Sequence, residues 1–268
     1  TISIDTKDSD ERVRKEYIKI IVLPDENGEY WYVVNSTVAS DNNGLTITGK
    51  VNLILCDGAS ASYRFDTISV TEGNELTIYG QENGTGILNC NTSNSSGAVG
   101  AGIGGDDVNP NAGKITINGG TVSARGLTNS GAGIGGGYQG SGTDITITGG
   151  TVIATGGDTG GAGIGGGSQA AGSNITITSG TVTATGGENG AGIGSGLFGE
   201  DTTVTINGGS IKAQGSADAD DIGSYYDNTK PRNALCEEVI AYTIDNPDSK
   251  DIAIDGKVYP SVHSDSDK

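Results

Sequence analysis

Apolar residues alternate with polar or small residues over short stretches in the middle of the chain. In residues 145–147 and 152–154, the first and third residues are aliphatic. A period of two residues is typical of a β-strand that buries one face. The segments between such stretches show no apolar spacing of 3.6 residues. The pattern therefore predicts short strands without connecting helices.

The stretches belong to a repeat. The hexapeptide Gly-Ala-Gly-Ile-Gly-Gly begins at residues 100, 131 and 161, and a copy ending in Ser195 begins at residue 190. Each copy precedes an Ile/Val-Thr-Ile strand and then a Thr/Ser-Val/Ile-x-Ala strand, and all three series advance by 29 to 31 residues. A fixed period in this range indicates stacked supersecondary units.

Three short strands per unit and a parallel ladder require the chain to return to the same place once per repeat. We therefore predict an all-β fold, a single-stranded parallel β-helix (β-solenoid) of about seven coils, capped at both ends. Neighbouring coils would be about 4.8 Å apart. The inward residues would be Ala/Ile, Ile/Ile and Val/Ala on the three strands, so that Ile117, Ile147 and Ile177 form one stack.

The repeat also predicts the division of the chain, with a hairpin of residues 17–23 and 30–34 covering the N-terminal end. The predicted parts are an N-terminal arm and β cap (1–44), the β-helix (45–226, with the clearest repeats at 100–215), a C-terminal β cap (227–262) and a tail or linker (263–268).

Composition narrows the functional classes. The chain has 268 residues, 48 of them Gly, and a net charge of -18, which disfavours nucleic acid and anionic membranes as partners. We find no apolar run long enough to cross a bilayer and no signal peptide. Cys56 and Cys90 fall on different parts of a coil, so we expect no bond between them, and with Cys236 they show no metal-site spacing.

Several segments resemble a known family. They are the hexapeptide repeats, residues 31–35, residues 51–55 with the following Asp57-Gly58-Ala59, and residues 75–80. Together they are similar to extracellular proteins of Gram-positive, often gut-associated, bacteria. The resemblance implies a secreted or surface-attached, right-handed β-helix with a pectate-lyase-like architecture, described as adhesin-like or carbohydrate-binding.

The first strand of each coil offers one candidate ligand surface. With Ala and Ile inward, the alternate glycines would point outward and leave bare backbone for a flat ligand. Tight packing of these glycines is the alternative, because Gly in a strand usually reports a backbone constraint. The candidates are Gly133, Gly135, Gly163 and Gly165.

The loop after the first strand offers a second candidate surface. Its aromatic and amide side chains would stack into a ridge suited to the faces and hydroxyls of a sugar. Alternatively, these loops fold back over the side of the solenoid. The candidates are Tyr138, Gln139, Gln169, Phe198, Tyr225 and Tyr226.

Ca²⁺ is the one cofactor for which the sequence offers candidate ligands, because Ca²⁺ prefers oxygen ligands and several loops are acidic. Solvated acidic loops are the competing interpretation. Pectate-lyase-like enzymes bind Ca²⁺ on an exposed face, so the same residues carry the alternative of a Ca²⁺-dependent polysaccharide lyase. They are Asp106, Asp107, Asp218, Asp220 and Asp221.

Two further patterns give weaker support for a function. The hexapeptide matches the G-x-G-x-x-G dinucleotide fingerprint, but a Gly/Ser-rich loop follows it where that fingerprint needs a helix. A column of threonines could present a regular array to ice, but a second column is interrupted by Arg125, Ile153, Lys212 and Gln214. Threonine on a solvated strand also follows from its β-propensity.

The sequence therefore predicts a non-catalytic, monomeric module that is secreted or attached to a cell surface. It would bind a polysaccharide, a host glycan or a surface protein, without a cofactor and without inserting into a membrane. A structural stalk that spaces other domains is the main alternative, and the Ca²⁺-dependent lyase is the second.

Overall fold

A computed structural model describes most of the repeat region. The described residues are 28–39, 44–62, 67–91, 100–127, 130–200, 202–216 and 219–224, together with the two strands Ile252–Ile254 and Lys257–Tyr259. Within them, 21 strands form three parallel sheets of seven strands each.

Each coil contributes one strand to each sheet. The first sheet contains β3 (Leu45–Thr46), β6 (Ile68–Ser69), β9 (Ile103–Gly104), β12 (Ile134–Gly135), β15 (Ile164–Gly165), β18 (Ile193–Gly194) and β21 (Ile222–Gly223). The second sheet contains β1 (Glu29–Val34), β4 (Lys50–Leu55), β7 (Glu75–Gly80), β10 (Lys114–Ile117), β13 (Gly142–Ile147), β16 (Gly172–Ile177) and β19 (Val204–Ile206). The third sheet contains β2 (Thr37–Ala39), β5 (Ser60–Ser62), β8 (Ile87–Asn91), β11 (Thr121–Arg125), β14 (Thr151–Thr155), β17 (Thr181–Thr185) and β20 (Ser210–Gln214).

The predicted core is confirmed. Ile117 pairs with Ile147, Ile147 pairs with Ile177, and all three side chains are fully buried. Aliphatic residues of successive coils therefore fill the prism between the three sheets. The fold is a right-handed parallel β-helix of about seven coils.

The N-terminal end differs from the prediction. β1 pairs in parallel with β4, and β2 pairs in parallel with β5, so residues 29–39 are already part of the solenoid. Residues 30–34, predicted to lie in the N-terminal cap, are therefore a strand of the second sheet, and their pairing with residues 17–23 stays a prediction. Tyr30 and Tyr32 occupy the positions of Val51 and Leu53, whose side chains face the core. β1 therefore alternates like the other strands of the second sheet and forms its end strand. Residues 17–23 lie outside the described part.

At the other end, β21 pairs with β18 and keeps the 29-residue step. Beyond it, β22 (Ile252–Ile254) and β23 (Lys257–Tyr259) form an antiparallel hairpin that contacts β20. This hairpin falls inside the segment predicted to form the C-terminal cap. Other residues of that segment are outside the described part.

The hexapeptide forms a tight backbone turn around an inward isoleucine. The amide of Ala162 donates to the carbonyl of Gly166 at 2.9 Å, and Ile164 between them points into the core. Gly165 has φ of +131°, a region that L side chains rarely adopt. A methyl group on Gly165 would also stand 1.9 Å from the carbonyl oxygen of Gly194. Only glycine therefore allows the coils to stack at this position.

We expect Gly165→Ala to lower the free energy of unfolding by at least about 3 kcal/mol, through backbone strain and overlap with the next coil. Chemical denaturation monitored by circular dichroism measures the loss. Gly100→Ala is the matched control, because a methyl group there meets its neighbours at an ordinary 3.4 Å. Equal denaturation midpoints for the two variants would contradict this account of the hexapeptide.

Candidate ligand-binding ridge

Three stacked turns follow the first strand of successive coils. In each, an amide donates to the carbonyl three residues earlier: Gly140 to Gly137, Ala170 to Gly167, and Gly199 to Gly196, at 2.8, 3.1 and 2.9 Å. The third residue of each turn has a left-handed backbone, as in a type II turn. These residues are Gln139, Gln169 and Phe198, with φ of 60°, 66° and 60°.

The turns are held in register by backbone hydrogen bonds between coils. The amide of Gln139 donates to the carbonyl of Ser168 at 2.9 Å, and the amide of Gln169 donates to the carbonyl of Leu197 at 2.5 Å. The three left-handed residues therefore form one column along the side of the solenoid.

The side chains on this column contact one another. Gln139 Nε2 donates to Gln169 Oε1 at 3.1 Å, and Gln169 Nε2 donates to the hydroxyl of Tyr138 at 3.2 Å. Phe198 occupies the next rung and is 62% exposed. We call Tyr138, Gln139, Gln169 and Phe198 the amide–aromatic ridge. Tyr225 and Tyr226, the other predicted members, lie outside the described residues.

The alternate glycines of the first strands do not form an open surface. Gly133, Gly135, Gly163 and Gly165 are buried. A methyl group on Gly133 would stand 2.6 Å from both the carbonyl oxygen of Gly163 and the amide nitrogen of Thr155. The prediction that these glycines point outward is therefore wrong, because the space beside them is filled by backbone.

Loops from both sides of the first strand meet one another. The amide of Ser168, in the turn after β15, donates to the carbonyl of Ser130, in the loop before β12 of the preceding coil, at 2.8 Å. The amide of Leu197 donates to the carbonyl of Gly160 at 2.8 Å. Ser168 is only 3% exposed as a result. Part of each turn thus folds back as the alternative predicted, while the third residue of each turn remains outside.

Asp106 has a structural role in the loop after β9. Its carboxylate accepts hydrogen bonds from the hydroxyl of Ser69 at 2.7 Å and from the amides of Val108 and Asn109 at 3.0 and 2.6 Å. The two amides make the contacts of an Asx turn. Burial raises the pKa of Asp106, but the hydrogen bonds from Asn109, Ser69 and Val108 together lower it by more. The pKa of Asp106 is therefore below its ordinary value.

The acidic residues do not converge on a metal centre in the described part of the chain. Asp107 is exposed, and Asp221 Oδ1 accepts a hydrogen bond from the amide of Gly215 at 2.8 Å. No group of three or more His, Cys, Asp or Glu side chains with the geometry for a metal ion occurs among the described residues. Asp220 belongs to the same stretch as Asp221, and Asp218 lies outside the described residues.

One aromatic pair was not predicted from the sequence. Trp31 on β1 and Tyr79 on β7 face outward and stack with ring centroids 5.6 Å apart and planes 23° apart. Because β4 lies between their strands, the rings meet above β4. The alternation of Tyr30 and Tyr32 with Trp31 was the available signal, since it places the indole on the outer face.

Two cysteines were predicted not to be bonded to each other, and this is confirmed. Cys56 and Cys90 are both free thiols. Cys90 is fully buried in the third sheet, and this burial raises the pKa of its thiol. A thiol protonated in this way is a poor nucleophile and metal ligand. Cys236 lies outside the described residues.

Comparison with known proteins supports the architecture. A family model described as a β-helix repeat matches residues 115–138, 145–168, 175–197 and 204–219, each match beginning with a strand of the second sheet. Neither the curated proteins nor the solved structures contain a significant match to the chain. In the described part of the chain, we find no helix with the length and apolar character needed to cross a membrane.

The contacts of Asp106 predict a pH-dependent stability. Because folding lowers its pKa, the carboxylate stabilises the fold above about pH 4, and this contribution is lost as the pH falls through the folded-state pKa. We expect Asp106→Asn to lose about 1 kcal/mol at neutral pH, since solvent partly screens the site. Denaturation between pH 2 and 7 measures the difference, which disappears at the acidic end. Asp107→Asn, on the exposed neighbour, is the control, and an equal loss there would contradict the assignment.

Proposed function

We propose that this chain is a non-catalytic β-helix module, secreted or displayed on a cell surface, that binds a glycan through the amide–aromatic ridge. The β-helix repeat leaves catalytic and non-catalytic roles equally open, because a fold does not fix an activity. The proposal therefore rests on the ridge and on the side chains that it presents.

The column of left-handed residues carries the proposal. A left-handed conformation costs a non-glycine residue about 1 kcal/mol or more, and glycine adopts it freely. This chain contains 48 glycines, yet the left-handed position of three successive turns holds Gln139, Gln169 and Phe198. Conformations of this kind cluster at functional sites, where the surrounding structure holds the strained residue in place.

The chemistry of the ridge suits a sugar. Two carboxamides and a phenol supply hydrogen-bond donors and acceptors, and Phe198 supplies an exposed apolar face. The three turns are hydrogen-bonded to one another, so the ridge is organised before a ligand arrives. The net charge of -18 disfavours anionic polymers, and neutral glycans are the better candidates.

The location and the biological role follow from the resemblance noted in the sequence. Gly-Ala-Gly-Ile-Gly-Gly repeats are similar to those of extracellular proteins from Gram-positive, often gut-associated, bacteria. An adhesin-like role on a polysaccharide, a host glycan or a glycosylated surface protein is consistent with that resemblance. We further propose that the module acts as a monomer and without a cofactor.

A glycan array followed by titration calorimetry, with and without Ca²⁺, tests this function. We expect Phe198→Ala and Gln169→Ala each to weaken the binding of an array-selected glycan about tenfold or more, because each removes a central contact. Ile153→Thr is the control: Ile153 is 42% exposed on the third sheet, and the next coil already has Thr183 at its position.

The remaining outcomes are also decisive. Binding that survives both ridge variants would place the ligand elsewhere. The absence of any ligand in a broad screen would favour a structural stalk. Cleavage of a polysaccharide with new unsaturated ends would establish the lyase alternative and overturn the proposal of a non-catalytic module.

A further inference from the structure

The outer face of the second sheet carries a continuous column of aligned residues. Seven strands each contribute one outward residue, paired rung by rung along the sheet. At the ladder spacing of about 4.8 Å, the column spans about 29 Å along the solenoid axis. Its members are Trp31, Asn52, Thr77, Thr116, Thr146, Thr176 and Thr205.

A second column runs beside the first, two residues further along each strand. The carbonyls of Ile78, Ile117, Ile147 and Ile177 accept hydrogen bonds from the next members of this column, so the register continues past the ends of the strands. Thr148 Oγ1 donates to Asn118 Oδ1 at 2.6 Å, which links two members directly. From Tyr79 onward the members are Tyr79, Asn118, Thr148, Thr178 and Asn207.

The two columns together form what we call the outer track. Trp31 and Tyr79 stand at its N-terminal end, where their stacked rings lie above β4. Asn52, which faces outward on β4, is only 6% exposed and donates through Nδ2 to Glu29 at 3.1 Å. Both aromatic rings remain partly exposed.

Charged side chains lie beside the outer track and not within its two columns. Lys50 and Lys114 stand on either side of Glu75 in the neighbouring outward column, with N–O distances of 3.8 and 3.9 Å. The two columns of the track contain only uncharged side chains. By contrast, the outer face of the third sheet is interrupted by Arg125, Ile153 and Lys212.

We propose that the outer track binds a neutral, linear polysaccharide that lies along the solenoid axis. An aromatic pair at one end offers an apolar surface to the C–H face of a sugar ring. Hydroxyl and carboxamide groups repeated once per coil offer hydrogen bonds to successive sugar hydroxyls. A surface that repeats along one axis suits a polymer better than a single sugar. The track is distinct from the amide–aromatic ridge and does not depend on it.

Affinity electrophoresis in native gels tests the proposal, with hydroxyethylcellulose, galactomannan and xyloglucan as neutral polymers and polygalacturonate as the anionic one. We expect at least one neutral polymer to retard the protein, and Trp31→Ala or Thr176→Lys to reduce this retardation at least fivefold. Thr183→Lys is the matched control, because the next coil already has Lys212 at the equivalent position of the third sheet. Phe198→Ala shows whether the ridge is responsible instead.

Each result decides for or against the outer track. Reduced retardation in Trp31→Ala and Thr176→Lys, with Thr183→Lys unaffected and all melting curves alike, supports it. Thr176→Lys keeps the aromatic pair and the core, so it remains informative if Trp31→Ala unfolds. Unchanged retardation in both track variants overturns the proposal. Loss of retardation in Phe198→Ala alone also overturns it. So does retardation by polygalacturonate alone, or the absence of retardation by every polymer. Self-association that Trp31→Ala abolishes would assign the face to a second copy of the chain and also overturn it.

Discussion

The equal stacking of successive coils is the constraint on which the rest of this structure depends. A parallel ladder fixes the separation of the rungs and aligns equivalent residues into columns. Inside the prism this alignment buries isoleucine on isoleucine, as at Ile117, Ile147 and Ile177. Outside it places Gln139 beside Gln169 and Thr146 beside Thr176. Core and surface are therefore two results of one register.

The hexapeptide shows how strictly the register is enforced. In four successive coils, a glycine with positive φ leaves no room for a methyl group beside the carbonyl of the next coil: Gly104, Gly135, Gly165 and Gly194. A side chain there would separate the rungs and misalign all three sheets. A turn follows each hexapeptide, where the dinucleotide fingerprint needs a helix. The glycines of the hexapeptide serve contacts between coils, and loops meet beside them.

Much of the fold could be predicted from the sequence, because the period and the alternation are both visible in it. The triplets at residues 115, 145, 175 and 204 lie in strands of the second sheet, as their spacing predicted. The orientation of Gly133 and Gly135 could not be predicted. Alternation assumes a regular strand, whereas a positive φ turns the backbone toward the next coil. The role of β1 was missed because its single copy lies outside the clear repeats.

The candidate surfaces show a similar limit. The repeat was sufficient to predict that Tyr138, Gln169 and Phe198 lie near one another. It did not show that Gln139, Gln169 and Phe198 share a left-handed backbone, since turn conformation depends on contacts between coils. Trp31 and Tyr79 stand 48 residues apart in the sequence, and only the pairing of β1 and β7 with β4 brings their rings together.

The near-constant length of the coils between Ile103 and Ile222 has an evolutionary consequence. Duplication of one 30-residue unit would insert a whole rung and leave every other residue facing the same way, while loss of a unit would remove one. Each event would change the number of repeated contacts offered to a polymer, and avidity rises steeply with that number when the contacts are engaged together. If the proposed polysaccharide binding holds, the avidity of such a solenoid would change in whole-coil steps, while its core stayed the same.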